Sequence, residues 1–423
     1  MSSDEINILH LSDLHFNGKN SLEEHPTLYA QRNITFSSLL DTLKDLDENW
    51  KPNIIVISGD IGFQGITEDY KLAKEFLSNL LKILNLSPDR LIICAGNHDL
   101  NRNETKRKKL PSSAVGADSC LKIENLDKLI NPFTNFIAFL KELGVSPLLI
   151  GNQKHYLVGV KAILGLKFVI LNSSWFAYGD NSRNLWLGKS QLELLESNKQ
   201  IPHPSNYNES DIIIAVFHHP RAYFSEYEFA GYEGRLGAYN FLAKRSHIIL
   251  SGHIHSEQIE EPDRIHDSAW LFLAGASYYS NTYINSFSIL KINKEARNVT
   301  YRIFQFNPYE SIWESKFSEH SYSLIKESLP VLGEESQKLL DLFQYSCSPG
   351  NLNEQEIKQI HLFLDKINEL LDDPFYIIKE KYYPNIWKIG IIINKRTEDF
   401  YIRYSLMAIS WELNISSIIV IPS

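Results

Sequence analysis

The amino-acid sequence predicts an α/β fold over residues 1–308, followed by a small α+β accessory module of unassigned role over residues 309–423. Three observations carry the α/β expectation. Apolar β-rich runs alternate with helical patterns along the first hundred residues. The runs are continuous rather than alternating, as strands covered on both faces require. Each run also leads into a short signature of Asp, Asn or His, and glycines at Gly59, Gly62 and Gly96 permit sharp exits from the strands.

Taken in order, Ile6 to Leu11 is an apolar run ending at Ser12-Asp13, and a helical stretch follows from about Leu28 to Leu46. Residues 53–58 form a second strand. Thr67 to Leu84 is strongly helical, with Leu72, Phe76, Leu80 and Ile83 along one side. Leu91 to Ala95 makes a third strand. Strand and helix in that alternation predict parallel βαβ units with right-handed crossovers. In such sheets ligands gather outside the carboxyl ends of the strands, so Asp13, Asp60 and Asn97 are expected on one rim.

Residues 100–120 read as a polar insertion and residues 125–143 as a helix. Strands are expected near residues 156–158 and 168–171, a helical segment around Leu192 to Leu195, and buried strands over residues 211–217 and 248–250. Trp270 to Leu273 and Phe287 to Ile292 complete a second group of more antiparallel character. Beyond Pro308 a helix is expected from Glu354 to Leu371, begun by a capping-box-like Asn353 and Glu356, then strands over 386–393 and 415–421. The chain stops close to that last strand, which suggests a module that is incomplete or completed by a partner.

Composition narrows the class. The 423 residues are 43% hydrophobic and 12% aromatic, enough for sizeable cores. A net charge of −9 argues against a dedicated nucleic-acid binder, which usually carries a basic domain. Cys94, Cys120 and Cys347 form no CxxC pair, so neither a structural zinc site nor a disulfide framework is expected. No apolar run approaches the roughly 18 residues needed to span a bilayer. The acidic start fits no signal peptide, and a cytoplasmic protein in a reducing compartment is expected.

The chemistry lies in five blocks: Asp13-Leu14-His15, Gly59-Asp60, Gly96-Asn97-His98-Asp99, His218-His219 and Gly252-His253-Ile254-His255. Carboxylate, imidazole and amide oxygen together suit divalent ions such as manganese, iron or zinc, with nickel also compatible. Two such ions need one carboxylate touching both, and Asp60, after the middle of three parallel strands, is the candidate bridge. One ion would take Asp13, His15 and His255; the other Asn97, His218 and His253. A water between them would attack phosphorus in line. A lone histidine is usually an ordinary residue; His10, His25, His155 and His247 are read that way, whereas the five blocks support one another. His219 adjoins His218, and Pro220 fixes the turn that follows.

This ordered set resembles the calcineurin-like metallophosphoesterase superfamily over roughly residues 5–300. The resemblance implies two mixed β-sheets sandwiched together and flanked by helices, and the ligand set just given, with the strand-end His218 rather than His219 as ligand. It further implies that His98 is no ligand but protonates the leaving oxygen or steadies the transition state, with Asp99 orienting its ring. Substrate contacts are expected from Arg102, Lys106 and Arg107, which begin just past Asp99, and from Tyr223 and Arg235 after His218-His219-Pro220. Those basic residues fit either a solvated loop or a cationic overhang that draws anions. Phe224, Tyr227, Phe229 and Tyr278-Tyr279 fit either base stacking or loop packing.

The expected activity is hydrolysis of a nucleotide-type phosphodiester with two divalent ions, manganese foremost. A manganese-dependent nuclease is the first alternative, although residues 309–423 are poorly suited to gripping DNA. A regulated scaffold or sensor with a gated phosphoesterase core is the second. Expected partners are a phosphate ester, nucleotide or nucleic acid among them, and a protein or second copy bound through residues 309–423; no membrane is expected.

Overall fold

The computed structural model describes residues 5–19, 25–105, 109–111, 113–178, 185–208, 210–230, 237–255, 262–265, 269–279, 284–325, 375–383, 386–393 and 418–422. Contacts divide the chain into one unit of Met1–Tyr232 with Leu236–Glu327 and a second of Ser328–Ser423 with Glu233–Arg235.

The first unit holds two mixed sheets. One has six strands. In chain order these are β1 (Glu5–Leu11), β2 (Ile54–Ile57) and β3 (Leu91–Ile93), joined later by three more. The other has eight: β4 (Leu148–Ile150), β5 (Gln153–His155), β6 (Gly159–Ile163), β7 (Leu166–Ile170), β8 (Ile212–Val216), β9 (Ile248–Ser251), β10 (Asp263–Ile265) and β11 (Ala269–Leu273). The chain then returns to the first sheet as β12 (Ser286–Asn293), β13 (Asn298–Asn307) and β14 (Ile312–Ser323), giving the order β14-β13-β12-β1-β2-β3. Because β14 pairs with β13, the first unit runs on past the change of texture near Pro308.

Period-two geometry builds the sandwich. Ile6 and Ile8 of β1, with Ile54, Val56 and Ile92, share a core with Phe168, Ile170, Ile214, Val216, Ile248 and Leu250 of the second sheet. The intervening Leu9, Leu11, Ile55, Ile57 and Ile93 face the opposite way and pack on two helices, α1 (Pro26–Lys44) and α2 (Thr67–Leu84). Both faces of these strands are therefore covered, which is why the sequence shows unbroken apolar runs. The expected parallel pairs are present as β1–β2 and β2–β3, and β8–β9 of the second group is parallel as well.

Several expectations needed correction. The buried stripe of α2 is Tyr70, Ala73, Phe76, Leu77, Leu80 and Leu81, so Ile83 lies on its exposed edge. The helix expected over 125–143 is broken: 3₁₀ turns precede a short helix at Thr134–Glu142, because Pro132 has no N–H for an earlier helix to use. Residues 156–158 are a bend between β5 and β6, not a strand. In the supposedly antiparallel second group, β11 pairs parallel to β9, while β12 does pair antiparallel to β1.

The second unit contributes a three-stranded sheet, β15 (Phe375–Tyr383), β16 (Ile386–Ile393) and β17 (Ile418–Pro422), with β15–β16 antiparallel and β16–β17 parallel. The helix expected over 354–371 lies outside the described residues. No helix among the described residues is long and apolar enough to cross a membrane.

Candidate metal centre

Parallel strands end on a common rim, and the chain leaves them in unusual backbone states. Asp13, His15, Asp60 and His253 all take left-handed φ values, between 48° and 70°. For residues with a Cβ such conformations cost on the order of 1 kcal/mol each, and they persist where surrounding structure fixes them. Here the fixing is visible. The exits of β1 and β2 run side by side, with Asp13 N donating to Gly59 O at 3.1 Å and His15 N to Asp60 O at 3.1 Å. Gly252 N donates to His218 O at 2.9 Å, which ties the exit of β9 to that of β8.

These exits bring the expected side chains together. Asp13, His15 and His255 form one group whose ligand-capable atoms lie within 4.8 Å of one another; Asp13, Asp60 and His218 form a second. Asp13 Oδ1 lies 2.9 Å from His255 Nε2 and 3.4 Å from His15 Nε2. Asp60 Oδ2 lies 3.1 Å from His218 Nε2 and 3.8 Å from His15 Nε2, so it stands between the two halves of the site. His218 Nε2 is also 3.1 Å from His253 Nδ1.

The donor set fits divalent cations. Asn97 Oδ1 is buried and accepts no hydrogen bond among the described residues, and Asp60 Oδ2 is buried with the His218 ring 3.1 Å away. Buried oxygens of that kind usually have a partner, and a divalent cation is one that this donor set could hold. Charge agrees with this. Burial raises the affinity of Asp13 and Asp60 for protons, but the facing imidazoles, His218 foremost, outweigh it and hold both below the usual carboxylate range. Burial lowers His15 to about 3 and His253 to about 4, leaving their rings neutral with lone pairs available. For His218 the charges of Asp60 and Asp13 overcome burial and raise it to about 9.

Neighbouring groups that the sequence did not single out set these orientations. The Ser12 hydroxyl donates to Asp13 Oδ2 at 2.6 Å, leaving Oδ1 toward the histidines. His218 Nδ1 lies 2.7 Å from Ser58 O, which fixes Nε2 as the atom aimed inward. Ser58 Oγ in turn meets the buried His10 ring at 2.9 Å. His219 meets Ser173 Oγ at 2.8 Å, yet it also forms a metal-capable trio with His218 and His253.

The expected role of Asp99 is corrected. Its carboxylate does not hold the His98 ring. It accepts from Gly96 N at 2.9 Å, Gly62 N at 2.9 Å, Ile61 N at 3.3 Å and the Tyr70 hydroxyl at 3.2 Å, which occupies both oxygens. Burial and the Asp60 charge push Asp99 up to about 7. The His98 ring is held instead through Nδ1, 2.8 Å from Phe63 O, while its backbone N–H donates to Asp60 Oδ1 at 2.7 Å.

Of the expected substrate contacts, Tyr223 stands at the centre, its ring 4.3 Å from that of His253 and edge-on to it. Phe224 and Phe229 pack into the core beneath, as loop packing requires. Arg102 is half-buried in the 3₁₀ turn just past the His98 block. Lys106, Arg107 and Arg235 lie outside the described residues.

Comparison with known proteins follows the same lines. A family model described as calcineurin-like phosphoesterase matches residues 6–257. An uncharacterized metallophosphoesterase-like protein, YydB of Bacillus subtilis, is 28% identical over 136 residues, or 32% of this chain; the match spans 25% of that protein. Among solved structures, a dimetal phosphatase from Danio rerio is similar at 10% identity, covering 73% of this chain and 98% of its own, with a TM-score of 0.38. Vps29 from Chaetomium thermophilum is similar at 12% identity, covering 76% and 99%, with a TM-score of 0.29. The family match spans more than half of the chain and includes all the blocks that meet at the rim. The chain belongs to the calcineurin-like phosphoesterase family.

Proposed function

We propose that the chain is a phosphodiesterase that hydrolyses a nucleotide-type diester at a centre of two divalent ions, manganese foremost. The observation that supports this best is Asp60 Oδ2, buried and set between His15 of one half-site and His218 of the other. Asp13, His15 and His255 would hold one ion, and Asn97, His218 and His253 the other, with Asp60 shared. Ions held there would make a water more acidic and neutralise charge on the phosphoryl oxygens.

The chain's own groups do the rest. His98 supplies the proton: with Nδ1–H donating to Phe63 O, its Nε2–H is the one directed to the ester oxygen. The new P–O bond forms from water opposite that oxygen as that water gives a proton to solvent, the ester P–O bond breaks, the alcohol departs with the His98 proton, and His98 is reprotonated from solvent. Tyr223 beside His253 favours a diester with an aromatic substituent over a bare phosphate monoester. Free thiols at Cys94 and Cys120 suit a reducing cytoplasm.

The test is manganese-dependent turnover of p-nitrophenyl mono- and diesters, cyclic nucleotides and single-stranded DNA, with Asp60→Asn as control. Diester turnover above monoester turnover, abolished with loss of bound manganese in Asp60→Asn, is expected. A monoester preference would overturn the reading, and preferred cleavage of DNA would replace it with a nuclease.

A further inference from the structure

Two aromatic rings border the His98 side of the centre, and the ligand set does not use them. Phe63 lies nearly face to face with His98, ring centroids 5.2 Å apart at 19°. Tyr279 stands 4.2 Å from the His255 ring and edge-on to His15 at 5.4 Å. His15 touches both sides of this group, with its ring 4.9 Å from His98 and 5.9 Å from Phe63. Phe63, His98, His15 and Tyr279 therefore make one aromatic border. Core rings in this molecule look different: Phe16, Phe36 and Phe76 stack on one another and are almost wholly buried. Tyr279 instead keeps 39% of its surface exposed, and Phe63 is half-buried.

Both rings are held by their backbones. Phe63 N donates to Asp69 Oδ2 at 3.1 Å, and Tyr279 N to Asn285 Oδ1 at 3.0 Å. Tyr278 N donates to Asp13 O at 3.2 Å, which fixes the Tyr279 loop to the centre itself. Rigid rings beside a phosphoryl site offer flat surfaces at small cost in ordering.

We propose that Phe63 and Tyr279 are specificity-determining residues for the leaving alcohol, and that this alcohol is a nucleoside whose base stacks on them. The inference rests on the diesterase reading above. His98 protonates the departing oxygen, so the leaving group lies on the His98 side of the centre, which these two rings border. Tyr223 borders the His253 half and is left to the group that stays on phosphorus. A stacked base adds about 10-fold to 100-fold in transition-state binding, without regard to which base it is.

The experiment uses the full manganese-loaded chain and the methyl diester of adenosine 5′-phosphate, with its abasic ribose analogue as reference. Two products are possible from the first: adenosine with methyl phosphate, or methanol with adenosine monophosphate. Expected are adenosine and methyl phosphate, and a kcat/KM about 10-fold or more above that of the analogue. Tyr279→Leu and Phe63→Leu should each shrink this base-to-abasic ratio and shift the product split toward methanol, while Tyr279→Phe retains both. Melting temperature and manganese content are measured for every variant. Methanol as the main product, or variants that slow both substrates by the same factor, would overturn the proposal and leave the diesterase reading standing. No turnover of any diester would remove the diesterase reading and this inference with it.

Discussion

Gly96 shows how tightly the centre is set at the level of single residues. A Cβ built there would lie 2.1 Å from Asp60 Oδ1 and 2.4 Å from Asp60 N, so the collision is with backbone that cannot swing away. Gly96→Ala is expected to displace Asp60, and a misplacement near 1 Å at a reacting centre costs about 100-fold in rate. Lower manganese stoichiometry together with that loss in kcat/KM would confirm it; wild-type values in both would show that the strand exit is more pliable. His98→Ala is a cleaner change, because none of the inward-facing donor atoms is removed. Manganese content should stay at the wild-type level, and turnover should fall by about 10²–10⁴-fold for diesters with poor leaving groups. Good leaving groups need no proton, so an equal loss for both kinds would exclude the donor role. That these candidate ligands would share one rim was legible in the sequence, because ligation demands particular residue types directly after strands. Ser12, Ser58 and Phe63 were not, because they act through a hydroxyl or a carbonyl on groups whose position only the fold creates. The Asp99 expectation failed for the same reason: adjacency to His98 in sequence says nothing about four acceptor contacts made elsewhere.

Between elements, the first turn of α2 links the helix to the catalytic rim. Asp69 is buried there, and its carboxylate accepts from Gly18 N at 2.8 Å, Phe63 N at 3.1 Å and Gln64 N at 2.8 Å. One side chain thus fixes the loops after β1 and β2 on the helix, and Phe63 in turn holds His98. Asp69→Asn replaces an accepting oxygen with a donating NH₂ group opposite backbone donors. We expect a loss of about 2 kcal/mol in unfolding free energy, the scale for leaving a buried donor unpaired. It should also depress kcat for poor leaving groups, since the His98 support moves. Denaturant unfolding and leaving-group kinetics on the same variant check this, and lowered stability with unchanged kinetics would cut the link from α2 to His98. Elements were most legible where periodicity was unbroken: Thr67–Leu84 begins and ends where the pattern does. They were least legible where a single residue overrides the pattern, as Pro132 does before Thr134–Glu142. The crossing of β12 back to β1 was also hidden, since antiparallel pairing at such separation leaves no local trace.

Across the whole molecule, the sandwich buries imidazoles that have no part in the rim, and these set how the fold meets acid. His247 packs on Tyr207 with centroids 4.0 Å apart, accepts the Ile213 N–H on Nδ1 at 3.0 Å, and has Tyr207 O 3.1 Å from Nε2. Nδ1 is thereby an acceptor, and Nε2 also lies 2.6 Å from Arg297 Nη2, so both ring nitrogens are engaged beside a fixed cation. Burial, reinforced by the Arg297 guanidinium, lowers His247 to about 3, and burial lowers His10 to about 3 against the pull of Asp13. In the unfolded chain each would titrate near 6.5. Above that value both states are neutral and pH has no leverage. Between about 6.5 and 3 the unfolded state binds the proton and the folded state does not, so stability falls as pH falls. By pH 5 each histidine should have removed about 2 kcal/mol relative to pH 7.5. His247→Gln cannot titrate. Although less stable at neutral pH, it should lose less on acidification, so that the gap between wild type and variant narrows by about 2 kcal/mol from pH 7.5 to pH 5. Urea unfolding of both proteins at the two pH values, followed by tryptophan fluorescence, measures that gap. A gap that stays constant would mean His247 is protonated in the folded state, and the neutral pairing with Ile213 and Tyr207 would have to be redrawn.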